Sequence, residues 1–145
     1  MNHLTQTRRR IIAAALTLST LTAVAIDGSE PAFARESRIR RSFCRHDWRD
    51  GKRQVKRLIR CSVRRWHVPG GASKAITVAR KESGFRPRAY NPAGYKGIYQ
   101  QSTRYWRRRA RTYGFPDWSA FNGRANIMVS IQMVHRGGWG PWSTA

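Results

Sequence analysis

Carboxylates are what this chain has least of. Seven Asp+Glu stand against 29 Lys+Arg, for a formal net charge of +22. A field of that sign and size attracts polyanions and speeds their capture. Nucleic acid, anionic lipid and anionic cell-wall polymer are therefore the partner classes that charge alone leaves open. Cysteine is nearly absent too, with two in 145 residues, Cys44 and Cys61. Apolar runs are short. The longest, 11-IIAAALTLSTLTAVAI-26, has sixteen residues and is too brief and too poorly flanked to span a bilayer. Neither a glycine loop for cradling phosphate nor a nucleophile motif occurs. His46, His67 and His135 lie scattered without ligand spacing or an accompanying Cys/His/acid cluster, so neither a metal site nor a cofactor is expected. No segment carries a strong strand period, and there are no repeats.

What is present begins with a leader. Arg8, Arg9 and Arg10 precede the apolar run, and 32-AFA-34 follows as a small-x-small cleavage site. Residues 1–34 read as a signal peptide, and the mature chain is expected outside the cytoplasm, secreted and associated with the wall. Thr7-Arg8-Arg9 hints at a twin-arginine signal but lacks the pattern that would follow one. Export favours lipid or wall polymer over nucleic acid as the partner. It also places Cys44 and Cys61 in an oxidising compartment, where a disulfide is the expected state and two buried thiols the alternative.

Residues 35–68 form an Arg-rich segment in which Val55, Leu58, Ile59, Ser62, Val63 and Trp66 recur at helical spacing. This predicts an amphipathic helix with a cationic outer face, either a wall-binding element or a solvated face that only aids solubility. The run 69-PGG-71 breaks it. In the remaining segment, 69–145, a helix is expected over 72–83, with Ala75, Val78, Ala79 and Glu82 on one stripe and Gly84 as its stop. Residues 85–100 read as loop. A third helix spans about 102–113, and a fourth, capped by Asn122, runs to about His135. The chain is expected to be a small, mostly α single domain and a monomer.

Glu82 raises the functional question. It is the only acid between Asp50 and Asp117 and it falls on an apolar helical stripe. Apolar neighbours and the negative end of its helix favour the protonated form, whereas Arg80, Lys81 and Arg86 oppose it. A carboxylic acid kept protonated can hand its proton to a leaving-group oxygen; an ordinary ion-paired glutamate is the alternative.

The stretch 82-ESGFRPRAYNPAGYKGIYQ-100 orders Glu-Ser-x-Phe-x-Pro-x-Ala-x-Asn-x-x-Gly-x-x-Gly-Ile-x-Gln. That order resembles the signature of the soluble lytic transglycosylase family, and 126-NIMVSIQMV-134 is similar to the family's later Asn-containing helix. The resemblance covers about 72–142. It implies a lysozyme-like fold with a catalytic cleft and cleavage of peptidoglycan glycan strands. Carried over, Glu82 is the catalytic acid/base, Ser83 hydrogen-bonds beside it, Gln100 closes the cleft segment 97-GIYQ-100, Tyr99 takes that segment's variable position and Asn126 faces the acid. Two departures stand out. Tyr95 replaces a small residue, and 135-HRGGWGPW-142 stands where an Ala-Tyr-Asn-Ala-Gly segment is usual. Positioning of the acid by that segment's Tyr is then either vacant here or falls to Trp139, Trp142 or Tyr99. Tyr90, Tyr95, Tyr99, Trp139 and Trp142 are candidates for sugar-stacking walls, with core packing as the alternative for each.

The chemistry implied needs one carboxylate. Glu82 protonates the oxygen between N-acetylmuramic acid and N-acetylglucosamine, and its anion then takes the proton of the muramyl 6-hydroxyl as a 1,6-anhydro ring closes. Hydrolytic glycosidases usually need a second carboxylate about 5–9.5 Å from the first. A lysozyme-type hydrolase, a weakened family member and a non-catalytic cationic binder of wall polymer or other polyanions are the alternatives.

Overall fold

The computed structural model describes residues 43–142. The expected signal peptide and residues 35–42 of the Arg-rich segment lie outside the described residues. Four helices and one small sheet are present: α1 (Gly51–Arg65), α2 (Gly71–Ser83), β1 (Tyr90–Asn91), β2 (Tyr95–Lys96), β3 (Gln101–Ser102), α3 (Thr103–Thr112) and α4 (Gly123–Gly137). None of the described helices is long and apolar enough to cross a membrane.

Helix α1 forms because Val55, Leu58, Ile59, Ser62 and Val63 make one buried stripe, with Arg53, Arg57, Arg60 and Arg64 exposed opposite. Leu58 and Ile59 are wholly removed from solvent, which stabilises by about 1.5–3 kcal/mol for each side chain. The stripe packs against α2 and α4, so the Arg-rich segment supplies part of the one core. A disulfide joins Cys44 to Cys61, 17 residues on, and ties the segment before α1 to that helix. The Arg124 guanidinium holds the same segment from α4, donating to the carbonyls of Cys44 (2.7 Å) and Phe43. Burial, and then nearby Arg45, lower the pKa of Arg124 from its usual value.

Helix α4 is the spine. Every residue from Ala125 to Gln132 is buried, as expected of a helix surrounded by its neighbours. Asn122 caps it as anticipated, its Oδ1 accepting from Ala125 N at 3.1 Å. Helix α3 turns Trp106 and Ala110 inward, and Trp106 Nε1 donates to Trp118 O at 2.7 Å.

The loop expected over 85–100 needs correction. It contains β1 and β2, which with β3 make an antiparallel sheet in the order β1-β2-β3. Tyr90 pairs with Lys96 and Asn91 with Tyr95; across the second pairing Tyr95 meets Ser102 and Lys96 meets Gln101. Strands of two residues are too short to carry an alternating pattern, so periodicity could not register them. In the turn between β1 and β2, Asn91 Oδ1 accepts from Ala93 N and Gly94 N donates to Asn91 O, both at 2.9 Å.

Candidate functional site

Glu82 lies in the last turn of α2, half-buried, between buried Ala79 and buried Ser83. Helix α2 stops because Gly84 adopts a left-handed conformation (φ 60°) and donates its N–H back to Arg80 O at 2.9 Å. Phe85 follows in the same region (φ 67°), costing about 1–2 kcal/mol for a residue with a Cβ. Burial of its ring, over which the Lys56 ammonium sits at 5.0 Å, offsets that cost. The reversed chain then runs into the sheet.

The two ends of segment 82–100 are joined. Ser83 Oγ donates to Ile98 O at 2.8 Å, with Ala79 O 3.3 Å away. Gly97 N donates to Ala89 O at 2.8 Å. Gln100, left-handed at φ 44°, folds its amide back so that Nε2 donates to Gly97 O at 2.8 Å. From behind, Asn126 clamps the segment: Oδ1 accepts from Tyr99 N (2.8 Å), and Nδ2 donates to Lys96 O (3.1 Å) and Ala120 O (2.9 Å). Gly97 is required here. Its φ is +82°, and a Cβ would stand 2.4 Å from both Ala120 O and Asn126 Nδ2.

Several expected roles change. Tyr99 is not a groove wall: it is 0% exposed, its hydroxyl donates to Ala75 O at 2.9 Å, and burial raises its pKa well above the usual phenol value. Asn126, also 0% exposed, is a backbone clamp. Ser83 is buried and serves as a strut. Trp139 and Trp142 are buried as well, their rings edge to face at 5.8 Å. Trp142 Nε1 donates to Tyr99 O at 2.9 Å and Trp139 Nε1 to Pro69 O at 2.8 Å, so the tail braces the segment against the α1–α2 turn. Their apolar rings are worth more in the core than in water, which is why the packing role wins over stacking on sugar. Glu82, Gln100 and Tyr95 retain surface. Tyr95 is 42% exposed on β2, so its bulk is directed outward rather than into the frame. Tyr90, at 60%, is the most exposed of the candidate aromatics.

A groove of about 910 Å3 opens beside this segment. One side is the start of α1, with Trp48, Arg49 and Lys52; the other is the chain leaving α2, with Arg86, Arg88 and Tyr90. Val55 and Phe85 contribute apolar surface. Arg86 is fixed in place, its Nε donating to Ser83 O at 2.9 Å. Trp48, Arg49 and Lys52 were not singled out from sequence as a binding surface; an aromatic set among cations in 48-WRDGK-52 was the available signal. His135 Nδ1 lies 2.8 Å from the His67 carbonyl oxygen.

Compared with known proteins, the chain matches no family model, no curated protein and no solved structure.

Proposed function

We propose that the chain is an exported lytic transglycosylase with a lysozyme-like fold, which cuts peptidoglycan glycan strands and uses Glu82 as acid and then base. The observation that carries this reading is the closure of segment 82–100, which begins at Glu82. Ser83, next to Glu82, is bonded to Ile98 across 15 residues, and Asn126 and Trp142 lock the far end. The residues whose order resembles the family signature are thus tied together by hydrogen bonds, with half-buried Glu82 at one end. Catalysis needs such fixity, because a general acid must stay within hydrogen-bond reach of the oxygen it protonates. The disulfide supports the extracytoplasmic setting.

In the forward step the Glu82 carboxyl proton passes to the glycosidic oxygen and the bond from the muramyl anomeric carbon to that oxygen breaks. The carboxylate then removes the 6-hydroxyl proton, and that oxygen bonds to the anomeric carbon, closing the anhydro ring. No water is consumed and the carboxyl is restored. Asp47, Asp50 and Asp117 are exposed and lie outside the 82–100 segment, in keeping with a one-carboxylate route.

The test is digestion of purified peptidoglycan by the mature chain and by Glu82→Gln, with products weighed by mass spectrometry. Anhydro-muropeptides are expected from the native chain, and release should fall by about 10²–10⁴-fold in the variant. Reducing-end muropeptides would move the assignment to a hydrolase. Full release by Glu82→Gln would remove the catalytic role.

A further inference from the structure

Glu82 does not line the groove between α1 and the chain leaving α2. We propose that this groove is a separate binding site for a phosphodiester-linked wall polymer, holding the enzyme where its glycan substrate lies. The assignment takes the cell wall as the working place from the proposed function, but makes no use of Glu82 as a catalyst.

Charge carries it first. Every ionisable side chain lining the groove other than tyrosine is a cation: Arg49, Lys52, Arg86 and Arg88. Arg49 meets Asp47 at 3.4 Å, an exposed pair of small worth. No carboxylate lines the space among the other three. Like charges gathered around a concave surface repel one another, and a bound anion converts that repulsion into attraction. Chemistry narrows the anion. Trp48, Val55, Phe85 and Tyr90 line the groove with the cations, so the ligand should alternate negative groups with apolar CH surface. A polyol or sugar phosphate chain has that composition, and its charges lie in the backbone, where successive ones can meet Lys52, Arg86 and Arg88. The volume, about 910 Å3, accommodates several repeating units. Single-stranded nucleic acid also combines phosphates with stacking faces. The Cys44–Cys61 disulfide favours the wall polymer, because it belongs to an oxidising compartment rather than to the nucleic-acid-rich cytoplasm.

The test uses the mature, oxidised chain carrying Glu82→Gln, so that the wall is not digested. Binding is measured to walls bearing phosphodiester polymer, to the same walls after hydrofluoric acid extraction, and to soluble poly(glycerol phosphate). Extraction should weaken binding by about tenfold or more, given several phosphate contacts. Adding Lys52→Gln with Arg88→Gln, both exposed positions, should weaken binding to the soluble polymer by roughly tenfold and reduce the steepness of its salt dependence. The matched pair Arg107→Gln with Arg111→Gln on α3 removes equal charge and should change affinity by less than about twofold. Equal losses from the two pairs would show a net-charge effect and overturn the site. Binding unchanged by extraction would assign retention to peptidoglycan carboxylates and overturn it as well. Tighter binding to single-stranded DNA of equal phosphate count would replace the wall polymer with nucleic acid. If the chain with native Glu82 releases no muropeptide but groove-dependent binding persists, the catalytic reading fails and this one stands.

Discussion

Replacing Asn126 with aspartate exchanges an amide NH2 for an oxygen at nearly constant shape, and so isolates the clamp behind segment 82–100. The retained oxygen still accepts from Tyr99 N, but the new one faces Lys96 O and Ala120 O, which were 3.1 and 2.9 Å from a donor. Two buried carbonyls lose their partner, at about 1–3 kcal/mol each, or about 2–6 kcal/mol together. Position 126 is fully buried, so a charged carboxylate there is disfavoured further and its folded-state pKa rises above the unfolded value of about 3.9. The sign follows. Below that value both states hold the proton, and a protonated carboxyl can still donate to one carbonyl, so the deficit is smallest. As pH rises the unfolded chain releases its proton first, and native stability falls by about 1.4 kcal/mol per pH unit until the native pKa is reached. Urea unfolding of native chain and Asn126→Asp at pH 4 and pH 7, followed by tryptophan fluorescence, reads this directly. The variant should be at least about 3 kcal/mol less stable at pH 7, with a narrower gap at pH 4. Equal stability at pH 7, or a wider gap at pH 4, would show that the amide does not donate to the two carbonyls.

Gly97→Ala should cost more than about 3 kcal/mol, from a left-handed backbone plus displacement of Ala120 and Asn126, whereas Gly94→Ala should cost only about 1–2 kcal/mol, since its nearest neighbour is a side-chain oxygen at 3.2 Å; paired denaturant melts compare the two. Tyr99→Phe should flatten the alkaline limb of stability. The native phenol keeps its proton above pH 10 while the unfolded one loses it, so the native chain should lose about 1.4 kcal/mol per pH unit there and the variant correspondingly less. Reducing the Cys44–Cys61 bond should lower stability by about 3 kcal/mol, seen as a drop in Tm with dithiothreitol. Raising salt from 20 to 300 mM should increase Tm, because +22 of self-repulsion is screened; a falling Tm would contradict that.

Much of the frame was legible because long helices announce themselves. The stripes in 51–65 and 71–83, the stop at Gly84 and the Asn122 cap all follow from spacing and capping chemistry, and the helices begin and end within a few residues of the expected positions. The disulfide was readable from two cysteines and the expectation of export. The sheet was not, since pairing between two-residue strands is set by tertiary closure. The site divided along a similar line. Glu82 at the end of its helix could be found from residue order, whereas the tight passage at Gly97 shows only in the packing. The inward turning of Tyr99, Trp139 and Trp142 could not, because an aromatic side chain suits a core and a sugar face equally well and only packing decides. Likewise, nothing in residue order brings Lys52 to Arg88; the return of α1 beside the α2 exit does.

The edge-to-face seating of Trp139 on Trp142, with Tyr99 a further 6.1 Å from Trp142, has an optical consequence. Chromophores held that close in a fixed, asymmetric orientation couple their electronic transitions and give a strong near-ultraviolet circular dichroism band. Trp142 hangs on the backbone of the segment that carries Gln100, so on the proposed function a glycan pressing on that segment should change the band's intensity. The tail would then supply a label-free gauge of occupancy beside Glu82, separate from Trp48 emission, which would respond to the cationic groove.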